Sequence, residues 1–165
     1  MRTAAVIAWI VTAGGGLTMV AIWAAKGGLR QEDREMTMAR SRGAAEPATA
    51  THTNLSHWMV ATHALLAVSG LGLFVFYLAR RDSVQTGVES APWLALGTLL
   101  LVAGLGVGMV RRWAADRKAQ AQGTGRRRRS TAADQAIPAV IVAAHGLAAA
   151  VTIVLVLLVA LRIGT

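Results

Sequence analysis

The chain has 165 residues, of which 55% are hydrophobic, with a mean hydropathy of +0.50 and a formal net charge of +9. Soluble domains seldom have so large an apolar share, and the helices of a soluble bundle carry a polar stripe that is not visible here. The chain has no cysteine. It can therefore supply no disulfide, no thiolate ligand to zinc or an iron–sulfur cluster, and no covalent anchor for c-type haem.

The apolar residues form four long runs, and the charged residues lie almost entirely between them. The runs cover about residues 4–25, 58–79, 91–110 and 137–161. Each is close to the roughly 20 residues that a helix needs to cross the hydrocarbon core. The first run is longer than the usual signal-peptide core, so we interpret it as a membrane span. We predict an all-α, four-transmembrane-helix bundle, a single membrane domain over residues 1–165.

Basic residues predict how the spans are oriented. The segments 26–56 and 111–136 hold most of the Lys and Arg residues, including the run of four arginines at 126–129. The other side has only Arg2, Arg80, Arg81 and Arg162. Positive residues in short loops favour the cytoplasm, so both termini are expected outside and the two basic loops inside. Topology and anionic lipid account for the basic run, and we do not expect nucleic acid as a partner.

The two halves of the sequence show matches that predict a tandem repeat of two helical hairpins. Spans one and three align at an offset of 90, and spans two and four at an offset of 82. The less common residues that match are Met19 with Met109, Trp23 with Trp113, His63 with His145, and Arg80 with Arg162. The repeat units would cover about residues 4–80 and 91–162, related by a pseudo-twofold axis along the membrane normal.

Two histidines are the only ionisable side chains deep inside the predicted spans. His63 and His145 each lie 17 residues before the arginine at the end of the span. At about 1.5 Å rise per residue, both sit some 25 Å from that arginine, at one depth on two helices of the same direction. Ionisable groups in a membrane usually face the bundle interior, so the two imidazoles are expected to face each other.

Two facing imidazoles are suited to axial ligation of one haem iron. Small residues near them, including Ala67, Gly70, Ala149 and Gly104, would let a flat macrocycle approach closely. The propionates would need cations near the inner surface. Lys26, Arg111 and Arg112 are the candidates. The other glycines of the first and third spans that could allow close approach are Gly14, Gly15, Gly16, Gly106 and Gly108.

His63, His145 and the four-span layout resemble the b-type membrane cytochromes. These are four- or five-helix proteins in which histidines from different helices clamp haem, such as cytochrome b561-like proteins and the haem anchors of succinate dehydrogenases. The resemblance implies haem b, one-electron transfer, and a quinone or a partner redox protein at the other end. Cytochrome b561 proteins usually hold two haems on four ligands, whereas this chain has a single deep pair.

Other interpretations of the histidines remain open at this point. The pair could form a proton relay or a metal site, or could hydrogen-bond between helices in an accessory or scaffold subunit of a larger membrane complex. His57, at the inner interface, and His52 are weaker candidates for a second metal or a quinone headgroup. A small transporter would need a polar pore face, which the scattered Thr and Ser residues do not form. Further membrane subunits or a homo-oligomer are expected as partners, and the composition is typical of a bacterial inner-membrane protein.

Overall fold

The structure, a computed structural model, describes residues 1–26, 28, 57–80, 90–122 and 136–163. The described residues form four helices, which we name α1 (Arg2–Ala25), α2 (His57–Arg80), α3 (Ala91–Ala121) and α4 (Ala139–Ala160). Each contains a stretch long and apolar enough to cross a membrane. The predicted all-α fold with four membrane-length helices is therefore confirmed, while the tandem repeat stays a prediction.

The third helix is longer than the apolar run that predicted it. That run ends at residue 110, but α3 continues through residues 111–121, where the charge pattern predicts a basic loop. Those residues are mostly Ala, Arg, Lys and Gln, which have high helix propensity, so the helix persists where the apolar run ends. The fourth helix starts directly after Pro138, whose extended backbone (φ −66°, ψ 136°) is that of an N-cap residue.

The helices form a ring of neighbours. Helix α1 packs mainly on α4, α2 packs mainly on α3, and further contacts join α3 to α4 and α1 to α2. The order around the ring is therefore α1, α2, α3, α4. This order places α2 and α4 on one diagonal, so residues of equal depth on these two helices can meet only through the centre.

Buried side chains lie in two clusters at different depths. One is built around Trp9 and Phe74, whose ring centroids are 5.7 Å apart, and includes Val156. The other joins Trp23 and Ile137 at the opposite end of the bundle. His63 and His145 fall between these clusters along their helices, at a level where Thr12 and Val102 are also buried.

The outer surface of the bundle is apolar. Val140, Leu17 and Leu147 expose 73%, 70% and 69% of their surface. An apolar patch of this extent would be unfavourable in water but is ordinary against lipid. The hydroxyls of Thr18 and Thr98 donate to the carbonyls of Gly14 and Leu94 on their own helices, each at 2.9 Å. These polar groups are therefore satisfied without water, as a lipid environment requires.

Candidate functional site

The structure brings the two deep histidines together across the diagonal of the bundle. The ring centroids of His63 on α2 and His145 on α4 are 6.4 Å apart, with an angle of 56° between the ring planes. Both side chains are half-buried. The two residues predicted from the sequence as a facing pair are therefore neighbours in space, although 82 positions separate them in the chain.

The orientation of His145 is set by a hydrogen bond to the neighbouring helix. Its Nδ1 lies 3.0 Å from the backbone oxygen of Thr12 on α1. A carbonyl oxygen can only accept, so Nδ1 carries the proton and donates it. The neutral ring then has its lone pair on Nε2, which is the atom that a metal-binding imidazole uses when its other nitrogen donates to the backbone.

Glycines of α1 make room for the His145 ring. A Cβ at Gly16 would lie 3.1 Å from Cε1 of His145, and a Cβ at Gly15 would lie 3.4 Å from its Nδ1. These distances are at or below the shortest ordinary van der Waals contacts, so a larger residue at either position would push the ring away. Because Gly15 and Gly16 have no side chain, the imidazole can lie directly against the α1 backbone.

His63 occupies a similar place against α3. A Cβ at Gly106 would lie 3.3 Å from Cε1 of His63. The His63 Nδ1 is buried against the backbone of Val102, but the contact does not have the geometry of a hydrogen bond. Gly16 and Gly106, like Thr12 and Val102, differ by 90 in number, so the contacts follow the offset of the predicted repeat.

A pair of threonines connects α1 to α4 beside this site. The Oγ1 atoms of Thr12 and Thr152 are both buried and lie 3.0 Å apart. Each hydroxyl can also donate to its own helix, Thr12 to Ala8 and Thr152 to Ala148, at 2.8 Å in both cases. Along the sequence these threonines are two of several scattered polar residues. Only their distance from each other, which residue numbers do not show, identifies them as a pair.

The other small residues predicted to line the site are spread over the bundle. Ala67 and Ala149 are partly buried one turn from the histidines. Gly70 is buried, but a Cβ at this position would face the ring of Trp9 and the side chain of Thr98, at 3.1 and 3.2 Å. Gly104 is exposed, and no atom of the described residues lies within 4 Å of its Cβ position. Gly106, two residues further along α3, is the glycine of that helix that contacts His63.

The predicted cations lie at different distances from the histidine level. Arg111 and Arg112 are exposed on α3, five and six residues beyond Gly106, which is a rise of about 8–9 Å. Lys26 is exposed just after α1, ten residues beyond Gly16, or about 15 Å. The two arginines are therefore nearer to the level of the imidazoles than the lysine is.

The weaker candidates do not join the pair. His57 begins α2, and its ring lies beside that of Trp58 with centroids 5.0 Å apart and an angle of 40° between the ring planes. His52 lies outside the described residues. Within the part of the chain that the structure describes, no group of three or more His, Cys, Asp or Glu residues could hold a metal ion. A haem iron differs from a free ion here because the porphyrin supplies four of its ligands.

An apolar groove of about 250 Å³ lies between α1 and α4 beside His145. It is bordered by Val11 and Gly15 on one side and by Ile141, His145 and Ala148 on the other. Its lining is almost free of polar atoms apart from the imidazole. The space next to the ring is thus open at the outer surface of the bundle and suited to an apolar group.

No protein family, no curated protein and no solved structure matches this chain. The fold and the histidine pair therefore define a class: a bundle of four membrane-length helices in which two imidazoles on different helices meet.

Proposed function

We propose that this protein is a membrane b-type cytochrome that binds one haem between His63 and His145 and exchanges electrons with a quinone or a partner redox protein. The observation that carries the proposal is the separation of the two ring centroids, 6.4 Å across the bundle diagonal. Helices of the same direction hold the two rings at one depth, and each ring rests on a glycine of a neighbouring helix.

A separation of this size would suit two imidazoles that hold one metal ion between them, because imidazole nitrogens bind metal ions such as zinc at about 2.0–2.1 Å. The His145 tautomer adds support, because donation from Nδ1 to Thr12 leaves Nε2 free to bind. Neutral imidazole of this kind is a common axial ligand of haem.

The residues around the pair suit a flat apolar cofactor with a charged edge. Gly16 and Gly106 let the rings lie against the neighbouring backbones, and apolar clusters lie on either side of the histidine level. Arg111 and Arg112 are nearer to that level than Lys26 is, so they are the better candidates to bind the propionates. When bound, haem supplies a reversible one-electron change between ferric and ferrous iron; the protein supplies the ligands and the low-dielectric surroundings.

A single haem near the inner surface spans only part of the bilayer, so electron transfer needs a second redox group. We propose a quinone in the membrane, another redox protein or a second copy of the chain in this role. Location in a bacterial inner membrane, with both termini outside and anionic lipid at the basic segments, completes the proposal.

A second candidate function is an accessory or scaffold subunit of a larger membrane complex. The observation that favours it is the His145–Thr12 hydrogen bond, because this bond satisfies part of the ring without any ligand. Interhelical hydrogen bonds of this kind stabilise many membrane bundles. In this case the two histidines would be packing contacts and the purified protein would be colourless.

The two candidates differ in the visible spectrum. We would express the full chain with ample haem supply, purify it in detergent, and measure haem per chain and reduced-minus-oxidised spectra. The expected result is about one haem per chain in a six-coordinate, low-spin state. His63→Ala and His145→Ala should each abolish that state, whereas His57→Ala, the matched control, should keep it. A colourless wild type that is folded and monodisperse would leave the scaffold role as the better explanation.

A further inference from the structure

The surroundings of the two histidines are unequal, and the difference lies in what holds each ring. His145 donates a hydrogen bond to the Thr12 carbonyl and lies against two glycines, Gly15 and Gly16. Thr12 is itself tied to α4 by its contact with Thr152. The ring of His145 is therefore held by the Thr12 carbonyl, Gly15 and Gly16. The backbone of α1 that supplies these contacts is itself joined to α4, the helix of His145, through Thr152.

The same positions on the other side of the bundle lack most of these groups. The α3 residue that corresponds to Gly15 is Leu105, and the α2 residue that corresponds to Thr152 is Gly70. Among the described residues, Gly106 is the one glycine that touches the His63 ring, and the buried Nδ1 of His63 lies against the Val102 backbone without the hydrogen-bond geometry that His145 has with Thr12. The predicted repeat therefore preserves the two imidazoles, the glycine that each ring touches and the backbone that each Nδ1 approaches, but not the second glycine or the threonine pair on the His145 side.

Hydrogen bonding of the far nitrogen orients a ligating histidine and makes it a stronger donor. A buried ring nitrogen without a partner costs free energy, and this cost is relieved when the ring turns away from its position. On this basis the ring of His63 is easier to displace than that of His145.

We propose that His145 is the permanent ligand of the haem and that His63 is the exchangeable one, so that a small neutral molecule such as carbon monoxide can bind the reduced iron on the His63 side. The proposal rests on the proposed cytochrome function. It assigns Thr12 the role of a positioning residue, because its carbonyl holds His145 in the orientation and tautomer needed for binding.

The test compares two single variants of the full chain, purified with haem. His63→Ala should retain most of the haem as a five-coordinate, high-spin species that binds carbon monoxide and returns to low spin with added imidazole. His145→Ala should contain at least tenfold less haem. His63→Gln and His145→Gln, which keep side-chain volume, repeat the comparison if an alanine variant fails to fold. Equal haem loss in the two variants, or greater loss in His63→Ala, would overturn the proposal.

A second measurement uses protein that contains no haem. In haem-free protein labelled with ¹⁵N on histidine, the His145 ring should show a slowly exchanging Nδ1 proton, and the His63 ring should not. Equal protection of both rings would count against unequal anchoring. A wild type that binds no haem defeats the cytochrome proposal itself, whereas a haem-loaded wild type with equivalent ligand variants defeats only this inference.

Discussion

The Cε1 atom of His145 lies 3.1 Å from the position that a Cβ would take at Gly16, although the two residues are on different helices. The backbone of α1 is therefore in contact with the imidazole. Close approach of this kind is the usual role of glycine between membrane helices. Here it also fixes how near the ring can come to α1, and several expected effects of substitution follow.

Gly16→Ala should displace the His145 ring and weaken haem binding. The added methyl has to push the ring by a few tenths of an ångström, and overpacking of this kind costs about 1–3 kcal/mol. Haem per chain and the fraction in the low-spin state measure the effect. Gly14→Ala is the matched control, because no described atom lies within 4 Å of the Cβ position there. Similar spectra for the two variants would contradict the described packing.

Gly106→Ala should have the corresponding effect on His63, with Gly108→Ala as the control. A Cβ at Gly106 would lie 3.3 Å from Cε1 of His63, whereas Gly108 has open space. We expect a shift from low-spin to high-spin haem with little loss of haem, because His63 is the exchangeable ligand. If Gly106→Ala lost as much haem as Gly16→Ala, the two histidines would not be unequal ligands.

The Thr12–Thr152 pair should stabilise the contact between α1 and α4. In a double-mutant cycle with Thr12→Val and Thr152→Val, we expect a coupling free energy of about 0.6 kcal/mol, the average for hydrogen bonds between membrane helices. The value stays small because each hydroxyl keeps an acceptor in its own helix. Reversible unfolding in mixed micelles measures it. Thr18→Val, which removes an exposed intrahelical bond, is the control, and a coupling of zero would show that the hydroxyls act independently.

Gly70→Ala should destabilise the bundle more than Gly72→Ala does. The new methyl at residue 70 would lie 3.1 Å from the Trp9 ring and 3.2 Å from Thr98, whereas residue 72 has open space. Trp9 is almost fully buried and stacks near Phe74, so it has little freedom to move. We expect a loss of about 1–3 kcal/mol in the free energy of unfolding for Gly70→Ala. Equal stability of both variants would show that Trp9 can shift.

The predicted topology can be tested by labelling, and the absence of native cysteine makes this direct. Ser90→Cys lies just before α3 and Gln122→Cys just after it. In intact cells an impermeant thiol reagent should modify residue 90 only, and residue 122 should react after the cells are opened. The basic residues that follow α3 favour the cytoplasm for that end. The opposite labelling pattern would show that all four spans have the reverse orientation.

Much of the candidate site follows from counting residues along the chain. The four apolar runs predict the helices, and equal spacing from Arg80 and Arg162 predicts that His63 and His145 share a depth. Counting selects the glycines of α1 and α3 as a group and does not show which of them touch a ring. On α3, Gly104 is exposed and Gly106 contacts His63. The difference is two residues, or a rotation of about 200° around the helix axis.

The four uncharged runs are enough to predict four helices of membrane length. In hydrocarbon a backbone has to satisfy its own hydrogen bonds, so an uncharged run of this length has few alternatives to a helix. Which face of each helix points inward, and therefore that Thr12 meets both His145 and Thr152, depends on how the helices pack. No pattern along the chain predicts it, because these helices are apolar on all sides. Without a polar stripe their rotation is set by packing between helices that are far apart in the chain.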